Sequence, residues 1–211
     1  VTGQFATSFG DRRLTIPDLS SAHTRIDIVR LTTLGGWRQR AAGLDPIFFD
    51  ASLTRDFSGD EAKAAFRERW LGRFLDRWPE LTHVAVDERG LFTGYIVGAH
   101  VDPAIDPAFA DVGFYAHLTH LTPDFPAHFH INLAPDARGN GIGGRLIEAF
   151  VADAEAAGLS GIHLVTGRDS RNRSFYARNG FACVAELEWG GTPIVMLGRR
   201  VSGAGKRNRR P

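Results

Sequence analysis

The run Phe129-His130-Ile131-Asn132-Leu133, Ala134-Pro135-Asp136-Ala137, Arg138-Gly139-Asn140-Gly141-Ile142-Gly143-Gly144, continued by Arg145-Leu146-Ile147-Glu148-Ala149-Phe150, decides the fold. It reads as an apolar strand, a glycine-rich turn and the start of an amphipathic helix. Ile142, Leu146, Ile147, Phe150, Val151 and Ala154 share one apolar stripe at helical spacing, and Gly158 ends the helix. The first backbone N–H groups of a helix lack intrahelical partners, and the macrodipole adds partial positive charge there. The turn therefore suits an anion. Glycines at 139, 141, 143 and 144 permit positive φ and keep Cβ atoms away from an approaching phosphate, and Arg138 adds a fork of donors.

Two familiar phosphate-binding patterns fit this turn poorly. A P-loop requires Lys-Ser/Thr after its last glycine, and Gly144 is followed by Arg145-Leu146. A dinucleotide fingerprint belongs in the first strand-helix unit of its fold, whereas this turn lies two-thirds along the chain. Arg138, Gly141 and Gly143 instead fill the pattern Arg/Gln, two residues, Gly, one residue, Gly/Ala. A second segment follows in order: Asn172-Arg173-Ser174-Phe175-Tyr176-Ala177-Arg178-Asn179-Gly180-Phe181. Together the two segments resemble the GNAT superfamily of N-acetyltransferases. The run from His128 to Phe150 also resembles, more narrowly, the acetyltransferase-like C-terminal domain of O-GlcNAc hydrolases and its free-standing bacterial relatives.

The resemblance implies a mixed α/β fold, with a mainly antiparallel central sheet flanked by helices, and acetyl-CoA as cosubstrate. It implies that the pantetheine arm lies along Ile131, Asn132 and Leu133, with a main-chain N–H there receiving the thioester oxygen. The pyrophosphate would rest on Gly139, Asn140, Gly141, Ile142, Gly143 and Gly144, close to Arg138. Asn172 corresponds to the family asparagine that touches the cofactor arm; as a residue it is also a good N-cap. Tyr176 corresponds to the tyrosine whose hydroxyl protonates the departing thiolate, the reading preferred here over that of a half-buried partner of Phe175. His128, His130 and Asn132 alternate on one face of the strand, which makes His130 and His128 candidate bases. His100 is a rival, and His117 and His120 lie in a loop. No Glu occurs between Glu88 and Glu148, where the family often carries its base. The acceptor implied is a small-molecule or protein amine; the pattern identifies neither it nor the oligomeric state. An acetyl-CoA-binding module without catalysis is the alternative.

The 211 residues are 43% hydrophobic, enough for one core, and the expected organisation is a single domain over 1–201. Residues 202–211, Ser-Gly-Ala-Gly-Lys-Arg-Asn-Arg-Arg-Pro, lack apolar anchors and are expected to be a disordered basic tail. The six cations from Arg199 to Arg210 leave the remainder at −5 against a net charge of +1. Such a tail suits an acidic surface, but a solvated end is the better reading, so nucleic acid is not an expected partner. No run is long and apolar enough to span a bilayer and no signal peptide is evident, so the expectation is a cytoplasmic protein. Cys183 is the only cysteine, which excludes an intrachain disulfide framework and a multi-cysteine zinc site. The histidines lack helical metal-ligand spacing, and no metal is expected.

Elsewhere the pattern predicts a strand at Leu14–Ile16 and a helix from Ser20 or Ser21 through Leu34, against a rival strand over Ile26–Leu31. Residues 35–57 read as loop with one helical turn; its Trp37, Phe48 and Phe49 read first as core packing, and the resemblance gives them the alternative of lining the acceptor site. Ser58-Gly59-Asp60-Glu61 reads as a capping box, opening a helix with Phe66, Trp70, Phe74 and Trp78 on its core face. A hairpin follows at His83–Asp87 and Leu91–Val101, where Gly94 and Gly98 admit a close neighbour. Residues 102–127 read as loop with Val112–Leu121 extended. Ile162–Thr166 reads as a strand, and Phe181–Trp189 with Pro193–Val201 as a hairpin.

Overall fold

The computed structural model describes residues 25–201; the expected strand at Leu14–Ile16, the caps at Ser20 and Ser21 and the basic tail 202–211 lie outside them. Seven strands form one sheet: β1 (Ile26–Arg30), β2 (His83–Asp87), β3 (Phe92–Ala99), β4 (Ala127–Leu133), β5 (Gly161–Gly167), β6 (Ala182–Trp189) and β7 (Thr192–Arg200). Their order is β1-β2-β3-β4-β5-β7-β6, and every neighbouring pair is antiparallel except β4 with β5. The expected mixed, mainly antiparallel α/β architecture is the observed one. The rival reading of 26–31 as a strand, rather than the preferred helix, is the correct one for β1. Ile26 to Arg30 gains a full register with β2, and that pairing outweighs the local capping signal.

One helix, α5 (Ile142–Ala156), covers one face of the sheet. Leu146, Ile147 and Phe150 are wholly buried there against Ile96, Phe129 and Ile162, each side chain contributing about 1.5–3 kcal/mol. Gly98 makes the contact possible, since a Cβ would lie 2.6 Å from the Phe150 ring and 2.4 Å from the His128 carbonyl. Gly94 similarly admits Leu133. Both strand glycines are thus packing glycines.

The other face carries α1 (Trp37–Arg40), α2 (Asp45–Ala51), α3 (Asp60–Arg67) and α4 (Arg73–Arg77). Residues 37–51 are mostly helical, contrary to the loop expected of them. Pro46 sits in the first turn of α2, where its missing N–H costs nothing, so it opens a helix there. The capping box does not form: α3 begins after Gly59, with no side-chain cap. Between α3 and α4, residues Glu68–Gly72 form a π-helical turn, with Glu68 folded back over Gly72 where a Cβ would stand 2.2 Å from its carboxylate. The stretch expected to be extended after Val112 is a 3-10 turn at Gly113–His117, held by the backbone bond from Tyr115 to Val112.

Candidate functional site

The sheet opens where its two central strands part. β4 and β5 pair only at Ala127 with Ile162 and His128 with His163. Beyond that point β4 pairs with β3 alone as far as Leu133, and β5 with β7 alone as far as Gly167. The result is a wedge with a free backbone edge on each side, and free strand edges are templates for an extended ligand. Two adjoining cavities occupy the wedge, of about 180 Å³ and 210 Å³, and share Trp70, Phe129, His130, Leu164, Val165 and Thr166. The first is bounded by Asn132, Asn172, Tyr176 and Phe48. The second extends to Phe114, Tyr115 and Ile194. A larger open groove of about 800 Å³ runs along the outer surface of α5, from Gly141 and Gly144 of the glycine turn to Arg30, His83 and Asp153.

The glycine turn closes one end of this arrangement. Gly139 and Gly141 have φ of 81° and 74°, with nothing within 4 Å of a built Cβ, so the turn depends on their backbone freedom and its surface is open. Gly141 is the N-cap of α5 and no side chain caps the helix, which leaves its first N–H groups available to an anion. Gly143 also has a packing role. A Cβ there would lie 2.9 Å from the Phe175 ring, so this glycine seats α6 (Arg173–Arg178) against α5. Gly144 faces Asn179 in the same manner. Arg138 donates from Nε and Nη2 to the Leu133 carbonyl at 3.1 and 3.0 Å and lies 3.4 Å from Asp50, so it fastens the turn to the end of β4. The exposed Asn140 side chain donates to the Asp136 carbonyl.

Asn172 lines the first cavity and stands at the N-cap position of α6 without a side-chain cap bond; its Oδ1 accepts from the Thr166 hydroxyl at 3.4 Å. Tyr176 sits on the same cavity, packed on Phe129, Phe175 and Phe181, and its hydroxyl makes no hydrogen bond among the described residues. Burial pushes its pKa up, so at neutral pH it holds its proton. Asn132 donates to the Tyr95 hydroxyl at 2.7 Å. Ile131 and Leu133 face α5 while His128, His130 and Asn132 face the other helices, an alternation that a regular strand imposes.

The structure separates the candidate bases. His130 lies on both cavities with its ring edge-on to Trp70 and Phe74, and burial together with the Arg73 charge pushes its pKa down to about 4. His128 is deeper, 1% exposed, with neither ring nitrogen partnered among the described residues. Burial, reinforced by His163 and His130, holds it well below the usual imidazole range. It does not line either cavity. His100 packs on Phe150 on the α5 face, outside the wedge, while His117 and His120 are exposed. Among the described residues no cluster of three or more His, Cys, Asp or Glu could hold a metal, and no helix is long and apolar enough to cross a membrane.

Trp70, Thr166 and Tyr115 border the wedge and were not singled out as site residues by the sequence. Trp70 recurs at four-residue steps with Phe66 and Phe74, a pattern that marks a core stripe and says nothing of a cavity. Of the aromatics proposed from residues 35–57, Phe48 reaches the wedge and Trp37 lies in a separate surface depression beside Arg38 and Arg67.

Residues 79–183 match the acetyltransferase (GNAT) domain family. Among solved structures, SsHAT aligns over 84% of this chain and 98% of its own, with 23% identity and a TM-score of 0.64. A GNAT superfamily phosphinothricin acetyltransferase from Sinorhizobium meliloti, solved in complex with AcCoA, aligns over 89% and 93%, with 18% identity and a TM-score of 0.56. Chaetomium thermophilum Naa20, solved in complex with a bisubstrate analogue, aligns over 87% and 90%, at 20% identity and a TM-score of 0.54.

Proposed function

From the premise that this chain has the GNAT acetyltransferase fold, we propose that it is an acetyl-CoA-dependent N-acetyltransferase that passes the acetyl group directly to an amine. The observation that carries the reading is the wedge between β4 and β5, bordered by Tyr176 and Asn172, with β4 leading on to an uncapped helix N-terminus behind two positive-φ glycines. The residues fit the cosubstrate. An acidic pyrophosphate suits the N–H groups at Gly141 to Gly144, and the free edge of Ile131 to Leu133 suits an arm that pairs like an added strand. One of the matched structures was solved with AcCoA, which supports that choice of cosubstrate.

In this reading the β4 backbone near Ile131 receives the thioester oxygen, where developing negative charge is stabilised by a fixed N–H. Tyr176, on the wall of the first cavity, gives its proton to the leaving sulfur. An imidazole nitrogen of His130 takes the proton from the attacking amine, directly or through water. His128, which lines neither cavity, takes no direct part in the transfer. Arg138 braces the turn at Leu133.

A second reading is a CoA-binding module without transfer, favoured by the lack of any carboxylate on either cavity among the described residues. The narrower kinship to bacterial relatives of the O-GlcNAc hydrolase C-terminal domain rests on the run His128–Phe150 and would bear on that choice. We take residues 1–201 as one functional unit, working in the cytoplasm. Calorimetric titration with acetyl-CoA and CoA, repeated on Gly139→Asp, tests the cosubstrate. Asp tolerates the left-handed backbone and meets no atom there, but sets a negative charge against the pyrophosphate. At least tenfold weaker binding by a folded variant is expected; unchanged affinity would remove the glycine turn from the site.

A further inference from the structure

The second cavity bears on the acceptor. Its walls are the rings of Trp70, Phe114, Tyr115 and Phe129 with Ile194, and its polar groups are few: the His130 imidazole and the Thr166 hydroxyl are the principal ones. No Asp, Glu, Lys or Arg lines it. At about 210 Å³ it exceeds the apolar cavity of about 150 Å³ that accepts benzene. Behind Phe114 the packing is aromatic again. Trp189, at the end of β6, lies against Gly113, where a Cβ would stand 2.7 Å from the indole, and its ring meets Phe114 edge-on at 6.4 Å. Phe114 in turn packs on Tyr115 at 4.6 Å.

Charge narrows the choice. An ammonium group would find π faces there but no carboxylate to hold it, and the Arg73 guanidinium acts on the same His130 that borders the cavity. A carboxylate-bearing acceptor would find no cation. An amine that enters neutral leaves nothing unpaired. We propose that the acceptor is a primary aromatic amine on a single ring, seated in the Phe114–Tyr115 lobe with its nitrogen toward His130. This rests on the acetyltransferase reading above. The chemistry agrees with the base available: an imidazole whose pKa lies near 4 is poorly matched to an alkylammonium, whereas an arylamine arrives unprotonated at neutral pH. In the transfer the amine nitrogen bonds to the acetyl carbon as the carbon–sulfur bond breaks. The displaced N–H proton passes to His130, and Tyr176 supplies the proton that gives CoA its thiol. The products are an N-aryl acetamide and CoA, and both side chains re-equilibrate with solvent.

The test measures acetyl-CoA binding and acetyl transfer on one full-length preparation, with 4-methoxyaniline, putrescine and an alanine-initiated tetrapeptide as acceptors. The expected result is a kcat/KM for 4-methoxyaniline at least tenfold above the other two. Calorimetry of 4-methoxyaniline with the CoA-bound protein should show saturable binding, lost at least tenfold in Ile194→Phe, which fills the lobe, while acetyl-CoA affinity is retained. Transfer that favours putrescine or the peptide would overturn the acceptor assignment and leave the acetyltransferase reading standing. Acetyl-CoA binding without transfer to any acceptor would overturn the acceptor assignment and support the module. No acetyl-CoA binding would overturn both.

Discussion

His163 gives the sharpest test of the interior on which this site rests. Its ring is wholly buried between β5 and the loop before β4, with Nδ1 2.5 Å from the Phe125 carbonyl and Nε2 without a partner among the described residues. Burial pushes its pKa down to about 4, against 6.5 for a free imidazole. In the unfolded chain the ring binds a proton below pH 6.5; in the fold it does so only near 4. Stability is therefore full above pH 6.5 and falls as the pH drops through the window to 4, because there the unfolded state binds more protons. At about 1.4 kcal/mol per pH unit, this single ring costs about 2 kcal/mol by pH 5 and about 3 kcal/mol over the window. The perturbation is His163→Gln, which keeps an N–H for the Phe125 carbonyl but does not titrate. Urea unfolding followed by tryptophan fluorescence at pH 7, 6 and 5 should find the variant less stable than the parent at pH 7. That gap should shrink by about 2 kcal/mol at pH 5. Parallel stability profiles for the two proteins would show that the ring titrates normally in the fold, and the dry interior described for His128 and His163 would be refuted.

Three further outcomes follow from the packing. Tyr176→Phe should lower kcat at least tenfold while leaving the KM for acetyl-CoA within about twofold, as expected of a proton donor to the leaving sulfur; an unchanged kcat in steady-state assays would remove it from that role. Gly98→Ala should destabilise by about 2 kcal/mol or more in chemical denaturation, because the new methyl meets both the Phe150 ring and the His128 carbonyl. Gly143→Ala should cost about 1–3 kcal/mol by displacing the Phe175 ring; its acetyl-CoA affinity, measured well below the melting temperature, should fall less than that of Gly139→Asp.

The strands β2, β4 and β5 and the β6–β7 hairpin were legible because alternation and β-branched content are local signals. The glycine turn was legible as well, since positive φ at Gly139 and Gly141 is a demand that only a few residue types meet. The parting of β4 from β5 left no trace in the sequence: it is an absence of backbone pairing, and backbone groups are the same in every residue. The packing of Gly143 on Phe175 was hidden for a related reason, as that neighbour lies on another helix. The helical stretch 37–51 was hidden by glycines and a proline that usually break helices but here stand at their starts. The preferred helix before Leu34 was wrong because Ile26–Arg30 takes its conformation from β2, far along the chain.

The π-helical turn at Glu68–Gly72 has a consequence for how the wall of the wedge can change. Such a turn holds one more residue than an α-helical turn between the same two ends, so it acts as a splice. Removing one residue there would relax the backbone to an ordinary helical turn while α3 and α4 keep their places, so the change would fall on the residues within the turn itself, Trp70 among them. Trp70 would lose its place against His130 even though no residue of the wedge had been replaced. The shape of this wall is thus set by the length of the chain as much as by its composition, and a lineage could reshape the cavity by a single codon gained or lost.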